Sequence, residues 1–162
     1  MKIMGTHFDD AVQIASIISE ANKDVADQFD ITFENNPKHP SFYTKDWVAS
    51  DLNRGEEYFI CWVNNVATGC VAFEQADPET AYLNRLSVLP EHRHQGIGAA
   101  LVNHVLEYSR SRDIKFVSIG IIAAHRVLKK WYANLRFIEG KTQKFDHLPF
   151  DVTYMRYELP LS

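Results

Sequence analysis

The residues best suited to handling an anion lie in one turn, Arg93-His94-Gln95-Gly96-Ile97-Gly98. Its glycines let the backbone approach a ligand closely. The first N–H groups of a helix that follows have no intrahelical acceptor, and the positive end of its dipole faces the same way. That chemistry fits a phosphate or pyrophosphate, with His92, Arg93 and His94 adding positive character at the rim. The elements that must position the turn are legible on either side. Before it, Leu83, Leu86 and Val88 mark a strand that Pro90 stops, because proline has no N–H for a sheet ladder. After it, Ile97, Leu101, Val105 and Tyr108 follow helical spacing. A Walker A loop would end in Gly-Lys-Ser/Thr, whereas this turn runs on as Gly98-Ala99-Ala100. A dinucleotide fingerprint needs a third glycine and an early strand, and this turn has two glycines and sits past mid-chain. The bland reading is a strand-to-helix connection whose glycines serve packing.

The stretch from Val88 to Leu101 resembles the acetyl-CoA-binding motif of the GNAT superfamily of N-acetyltransferases, Arg/Gln-x-x-Gly-x-Gly/Ala, with Arg93, Gly96 and Gly98 in the defining places. The resemblance implies that the amides of His94, Gln95, Gly96, Ile97, Gly98 and Ala99 hold the pyrophosphate of coenzyme A. It also implies that Leu86, Ser87 and Val88 pair with the pantetheine arm as though it were a strand. A second family element stands downstream, a helix bearing Tyr132 with Phe137 five residues on. By that likeness Tyr132 protonates the departing thiolate. An ordinary tyrosine, with a pKa of about 10, is protonated at neutral pH and able to donate. The residue-level alternative is that Tyr132 packs with Leu128, Trp131 and Leu135 on an amphipathic helix. Two positions depart from the family pattern. His125 stands where many members have a cofactor-binding Asn, and Arg136 stands where Gly usually precedes the Phe. Histidine can also donate, so His125 is kept as a cofactor contact.

The chain of 162 residues fits one domain, residues 1–162, and needs no disulfide or metal staple. Its net charge of -4 argues against nucleic acid as a partner and favours a cationic or amine substrate. Cys61 and Cys70 flank an expected hairpin and read as reduced, half-buried thiols. There is no leader-like apolar segment at the start and no apolar run near 18 residues, so the expectation is a cytoplasmic protein that does not engage a membrane.

In chain order, a short strand at Lys2–Met4 precedes a helix or broken helix over about Asp9–Asp27. A proline-marked loop follows to Tyr43, then a short helix capped by Thr44 and ended by Gly55. Strands follow at Glu57–Val63 and Ala67–Glu74 about an Asn64-Asn65 turn. After the strand and helix around the basic turn, Phe116–Ile122 reads as a strand buried on both faces. A helix from Ala124 or His125 and two closing strands, Phe137–Phe145 and Val152–Leu159, complete the chain. This order predicts an α/β layered fold around a mixed, mostly antiparallel central sheet flanked by helices, with one parallel β-α-β unit. It matches the acyl-CoA N-acyltransferase fold that the resemblance implies.

The activity implied is transfer of the acetyl group of acetyl-CoA, with no metal, to a primary amine by direct attack, the strand amide near Val88 stabilising the oxyanion. Several members place a Glu on the strand before the turn, where this chain has Asn84 and Arg85. Glu74 is the first candidate for the base, and His39 and His147 follow; ordered water is a further route. The loop Ile31–Tyr43 and the segment Asp146–Phe150 bring Phe33, Phe42, Tyr43, Phe150, Glu34 and Asp146 to the substrate side. That mixture suits a small cationic amine. A protein lysine or N-terminal amine, or a non-catalytic acetyl-CoA-binding module, are the competing readings; Tyr132 favours an enzyme. The resemblance also allows a homodimer.

Overall fold

The computed structural model describes residues 1–160. Its strands are β1 (Lys2–Gly5), β2 (Glu57–Val63), β3 (Val66–Gln75), β4 (Thr80–Val88), β5 (Phe116–Ile122), β6 (Ile138–Gln143) and β7 (Val152–Glu158). The helices are α1 (Ala11–Ala21), α2 (Lys23–Gln28), α3 (Lys45–Asn53), α4 (Ile97–Ser111) and α5 (Arg126–Asn134). The strands form one sheet in the order β1-β2-β3-β4-β5-β7-β6, and only β4 and β5 run parallel. A mixed, mostly antiparallel sheet between helical layers is the architecture expected from the sequence. No helix of the described residues is long and apolar enough to cross a membrane.

Alternation along the strands builds two cores. On one face Phe73, Leu83, Val117, Ile119 and Met155 pack with Ile97, Leu101 and Val105 of α4 and with Tyr132 and Phe137. On the other, Tyr58, Ile60, Cys70 and Ala72 pack with Ile14, Ile17 and Ile18 of α1 and Val48 of α3. Cys61 and Cys70 therefore belong to opposite faces, and both are free and buried. Burial pushes the Cys70 thiol up to about 12. Close approach of α4 to the sheet depends on Gly69, where a Cβ would lie 2.7 Å from the Ser87 carbonyl oxygen and 3.2 Å from Leu101.

Local signals set the element ends. Asn64 and Asn65 both adopt positive φ, as their tight turn requires. Thr44 caps α3 by accepting from the Trp47 N–H at 3.2 Å. The proline-marked loop contains one turn of 3-10 helix, Pro40–Phe42, and the first helix breaks at Asn22.

The expectation that β5 is buried on both faces is corrected by the structure. Val117, Ile119 and Ile121 enter the α4 core, but Ser118 is half-buried and Gly120 exposed on the other side. The reason is topological. β4 and β5 pair only from Thr80↔Phe116 to Tyr82↔Ser118 and then diverge, so the second face of β5 lines a cleft at Ser118 and Gly120 and meets a helix only at Ile122, which packs with Ala26 of α2.

Candidate active site

The cleft between the diverging strands has a volume of about 580 Å³. Its walls include Tyr82, Asn84 and Leu86 of β4, Ser118 and Gly120 of β5, and Tyr154 of β7. Asn22, Val25, His39 and Pro40 flank one side, with Phe150, His125 and Tyr132 also at the boundary. Gly120 makes room for Tyr154, whose ring carbon Cε1 would lie 3.4 Å from a Cβ at that position.

The basic turn follows directly at the end of β4. His94 and Gly96 take positive φ, 63° and 80°. The first bond closing α4 runs from the Ala100 N–H to the Gly96 carbonyl. Among the described residues no N–H from residue 94 to residue 99 finds an acceptor. Those converging donors at a helix N-terminus form a concavity matched to an anion. The side chains of the turn do other work. Ile97 is a core residue. A Cβ on Gly98 would approach Trp131 to 3.2 Å, so that glycine seats α4 against α5. His94 and Gln95 are exposed and Ala99 is half-buried. Arg93 is tied down: it pairs with Asp24 at 2.5 Å and donates to the Ala21 carbonyl at 2.7 Å and the Val88 carbonyl at 3.2 Å. The Arg93 guanidinium holds the Asp24 carboxyl below its ordinary value. Arg93 thus anchors the turn to the α1–α2 junction.

The three β4 residues expected at the cofactor also divide. Leu86 lines the cleft. The Ser87 side chain turns away, accepting from Asn22 at 3.2 Å and donating to the Arg85 carbonyl at 3.0 Å. Leu89 donates to Thr68 across the ladder, so antiparallel alternation points the Val88 N–H away from β3, to the side that β5 has left.

Tyr132 is 4% exposed, packed edge-on by Trp131 and Phe137 at 4.9 and 5.3 Å. Burial raises its phenol above the ordinary value, keeping it protonated. Its hydroxyl has no hydrogen-bond partner, and among the described residues no buried side-chain polar atom is left orphaned, so the hydroxyl opens to the cleft. His125 caps α5 through Nδ1, which accepts from the Leu128 N–H at 3.3 Å. The proton therefore sits on Nε2, leaving a donor at the cleft wall.

His39 has the same arrangement. Its Nδ1 accepts from the Ser41 N–H at 3.1 Å, so Nε2 carries the proton, and in that state the ring donates instead of acting as a base. Burial lowers its pKa to about 4. The fold holds the neutral ring, so the stability it contributes is complete above pH 6.5 and is lost as pH falls toward 4. Unfolding titrations across that window should show wild type losing stability more steeply than His39→Gln; parallel curves would contradict this account. His147 is exposed against Phe145 and lies outside the cleft. Of the loop aromatics, Phe33 pairs with Phe42 and Tyr43 turns inward, leaving Phe150 at the cleft.

Sequence reasoning missed a buried ionic network beside the cleft. Ala72 pairs with Asn84 and Cys70 with Ser87, so Val71 opposes both Arg85 and Leu86 in a bulge. Arg85 adopts φ 51°, a conformation that favours glycine. Its guanidinium pairs with Glu56, lies 3.5 Å from Asp51, and donates to the Tyr58 hydroxyl at 2.6 Å. Tyr58 donates to Asp51 at 2.8 Å, and Tyr43 donates to the same carboxylate oxygen. Arg54 bridges Asp51 and Glu56, 2.8 Å from each. Glu56 and Asp51 are 2% and 4% exposed. Burial raises the Glu56 carboxyl above its ordinary range, against the opposing pull of Arg85 and Asn84. Glu74, the expected base, accepts from the Asn84 side chain at 3.2 Å at the edge of this network. No sequence motif links these partners, because Arg85 lies 29 residues from Glu56.

Residues 21–137 match the acetyltransferase (GNAT) family. An uncharacterized N-acetyltransferase of Methanocaldococcus jannaschii is 28% identical over 123 residues, covering 72% of this chain and 53% of the relative. The chain thus spans about half the length of that curated relative. The ribosomal-protein-S18-alanine N-acetyltransferase of Escherichia coli has a similar structure, with a TM-score of 0.78 at 17% identity, covering 99% of this chain and 95% of that one. A GNAT family acetyltransferase from Elizabethkingia anophelis, solved with acetyl-CoA bound, aligns with a TM-score of 0.62 at 19% identity over 72% of this chain and 84% of that one. These two likenesses bear on the fold; the family match covers the turn, both strands of the cleft and the Tyr132 helix. The chain belongs to the GNAT family of acetyltransferases.

Proposed function

We propose that this protein transfers the acetyl group of acetyl-CoA to a primary amine of a small molecule. The observation that carries the reading is the opening of β4 from β5 beside the partnerless Tyr132 hydroxyl, with six unpaired amides in the turn that ends β4. Acetyl-CoA supplies the acyl group as a thioester. The amides of residues 94–99 hold its pyrophosphate, His125 Nε2 donates to it, and the open edge of β4 at Leu86 and Val88 receives the arm.

Glu74 takes a proton from the ammonium form of the acceptor, since only the neutral amine attacks. The amine nitrogen bonds to the carbonyl carbon to give a tetrahedral oxyanion; the carbon–sulfur bond breaks as it collapses, and the nitrogen gives up its second proton to water. The Val88 N–H stabilises the oxyanion, and Tyr132 gives its O–H proton to the departing thiolate and regains one from water. His39, Pro40 and Phe150 border the acceptor end, a setting that suits a small amine.

The test measures thiol release from acetyl-CoA with spermidine, benzylamine and alanyl-alanine amide, with mass spectrometry of the products. Acetylation of spermidine or benzylamine supports the proposal. Acetylation of the peptide alone would move the assignment to a protein N-terminus; the E. coli structure is named for a ribosomal-protein alanine.

A further inference from the structure

The Asn84 side chain lies between two carboxylates and the cleft. Its Nδ2 donates to Glu56 Oε1 at 3.0 Å and to Glu74 Oε1 at 3.2 Å. Two acceptor-only neighbours fix which end of the amide carries the hydrogens. Its Oδ1 then points away from both, has no partner among the described residues, and is not sealed from solvent, on a residue that lines the cleft. The charges around it do not balance when all are ionised. Asp51 and Glu56 pair with two guanidiniums (Arg54 and Arg85), and Glu74, joined through Asn84, is a third carboxylate with no ion pair of its own among the described residues. The cluster has a place for one more cation, and the free oxygen of Asn84 offers an acceptor on a residue that lines the cleft.

We infer that Asn84 is the anchor of the acceptor amine: its Oδ1 accepts an N–H of the substrate, which supplies the third positive charge of the Asp51–Glu56–Glu74 cluster. The acceptor class is a cationic primary amine, and the inference rests on the acetyl-transfer reading. The two carboxylates orient Asn84 through its Nδ2, so that Oδ1 is turned to the amine. This gives the β4 position a role in binding the amine, while the charge stays on α3, the turn after it and β3.

The experiment compares wild type with Asn84→Ala, using spermidine and benzylamine as probes and calorimetry for acetyl-CoA. The amine KM should rise about 10- to 100-fold, the loss of one hydrogen bond to a charged partner. Acetyl-CoA affinity should stay within about twofold, since Asn84 contributes nothing to the turn. Asn84→Gln, which keeps the amide but displaces it, gives the same readout should the alanine variant fold poorly. An unchanged amine KM, or an amine KM and acetyl-CoA affinity that weaken together, would overturn the assignment. So would a wild-type enzyme that binds acetyl-CoA and acetylates neither probe. Failure of wild type to bind acetyl-CoA would instead remove the underlying reading.

Discussion

Tyr132→Phe should lower kcat by about 10²- to 10⁴-fold, the range for loss of a positioned general acid, and leave acetyl-CoA affinity nearly unchanged. The size of the effect follows from what the hydroxyl does in the fold, which is nothing: it has no partner there. The ring supplies the packing against Trp131 and Phe137, and phenylalanine keeps the ring. Deleting the oxygen therefore leaves no buried group unsatisfied and no cavity. What disappears is the O–H that the proposal assigns to the departing thiolate. Burial raises the phenol above its ordinary value, so it remains the protonated donor across neutral pH. Steady-state kinetics together with calorimetry separate the outcomes. A matched fall in kcat and in acetyl-CoA affinity would make Tyr132 a binding residue.

Arg85→Met should cost the fold about 3–5 kcal/mol, the penalty for removing one partner of a buried ion pair. For a domain of this size that corresponds to roughly 10 °C or more in melting temperature. The guanidinium is the charge that compensates Glu56 and Asp51 from the cleft side, and it lies 5.3 and 5.6 Å from the Tyr43 and Tyr58 ring centres. Methionine fills similar volume but leaves the carboxylates facing Arg54 alone. It also keeps the strain, because residue 85 sits at φ 51° whatever its side chain. Arg85→Gly relaxes that backbone and should destabilise less than Arg85→Met. Thermal and urea unfolding of both variants gives the comparison. A methionine variant within about 1 kcal/mol of wild type would show that the network holds nothing together.

The layered fold was legible because its signals are local. Apolar residues at helical spacing in α4, the Asn64-Asn65 turn and the proline after β4 each act within a few residues. The anion turn was legible for the same reason. Its internal division of labour was not: whether Gly98 serves a ligand or Trp131 depends on a helix some thirty residues later. Arg93 read as a cofactor residue and is occupied by Asp24 and two backbone carbonyls, contacts that exist only once α1 and α2 have folded against the turn. β5 read as doubly buried because its residues are apolar, and only the divergence of β4 frees one face. The Arg85 network left no trace in the sequence. An arginine in a strand pattern gives no sign of left-handed backbone, and its partners come from α3, the following turn and β2.

Calorimetric titration of the purified protein with acetyl-CoA, with ATP and NAD as controls, tests the central claim most directly. The account expects one acetyl-CoA to bind per chain, with little heat from ATP or NAD. It expects Gly96→Trp, which strains the φ 80° position, to weaken that binding and spare the fold. No binding of acetyl-CoA, or binding indifferent to the turn, would contradict the assignment of the β4–α4 turn and the adjoining cleft.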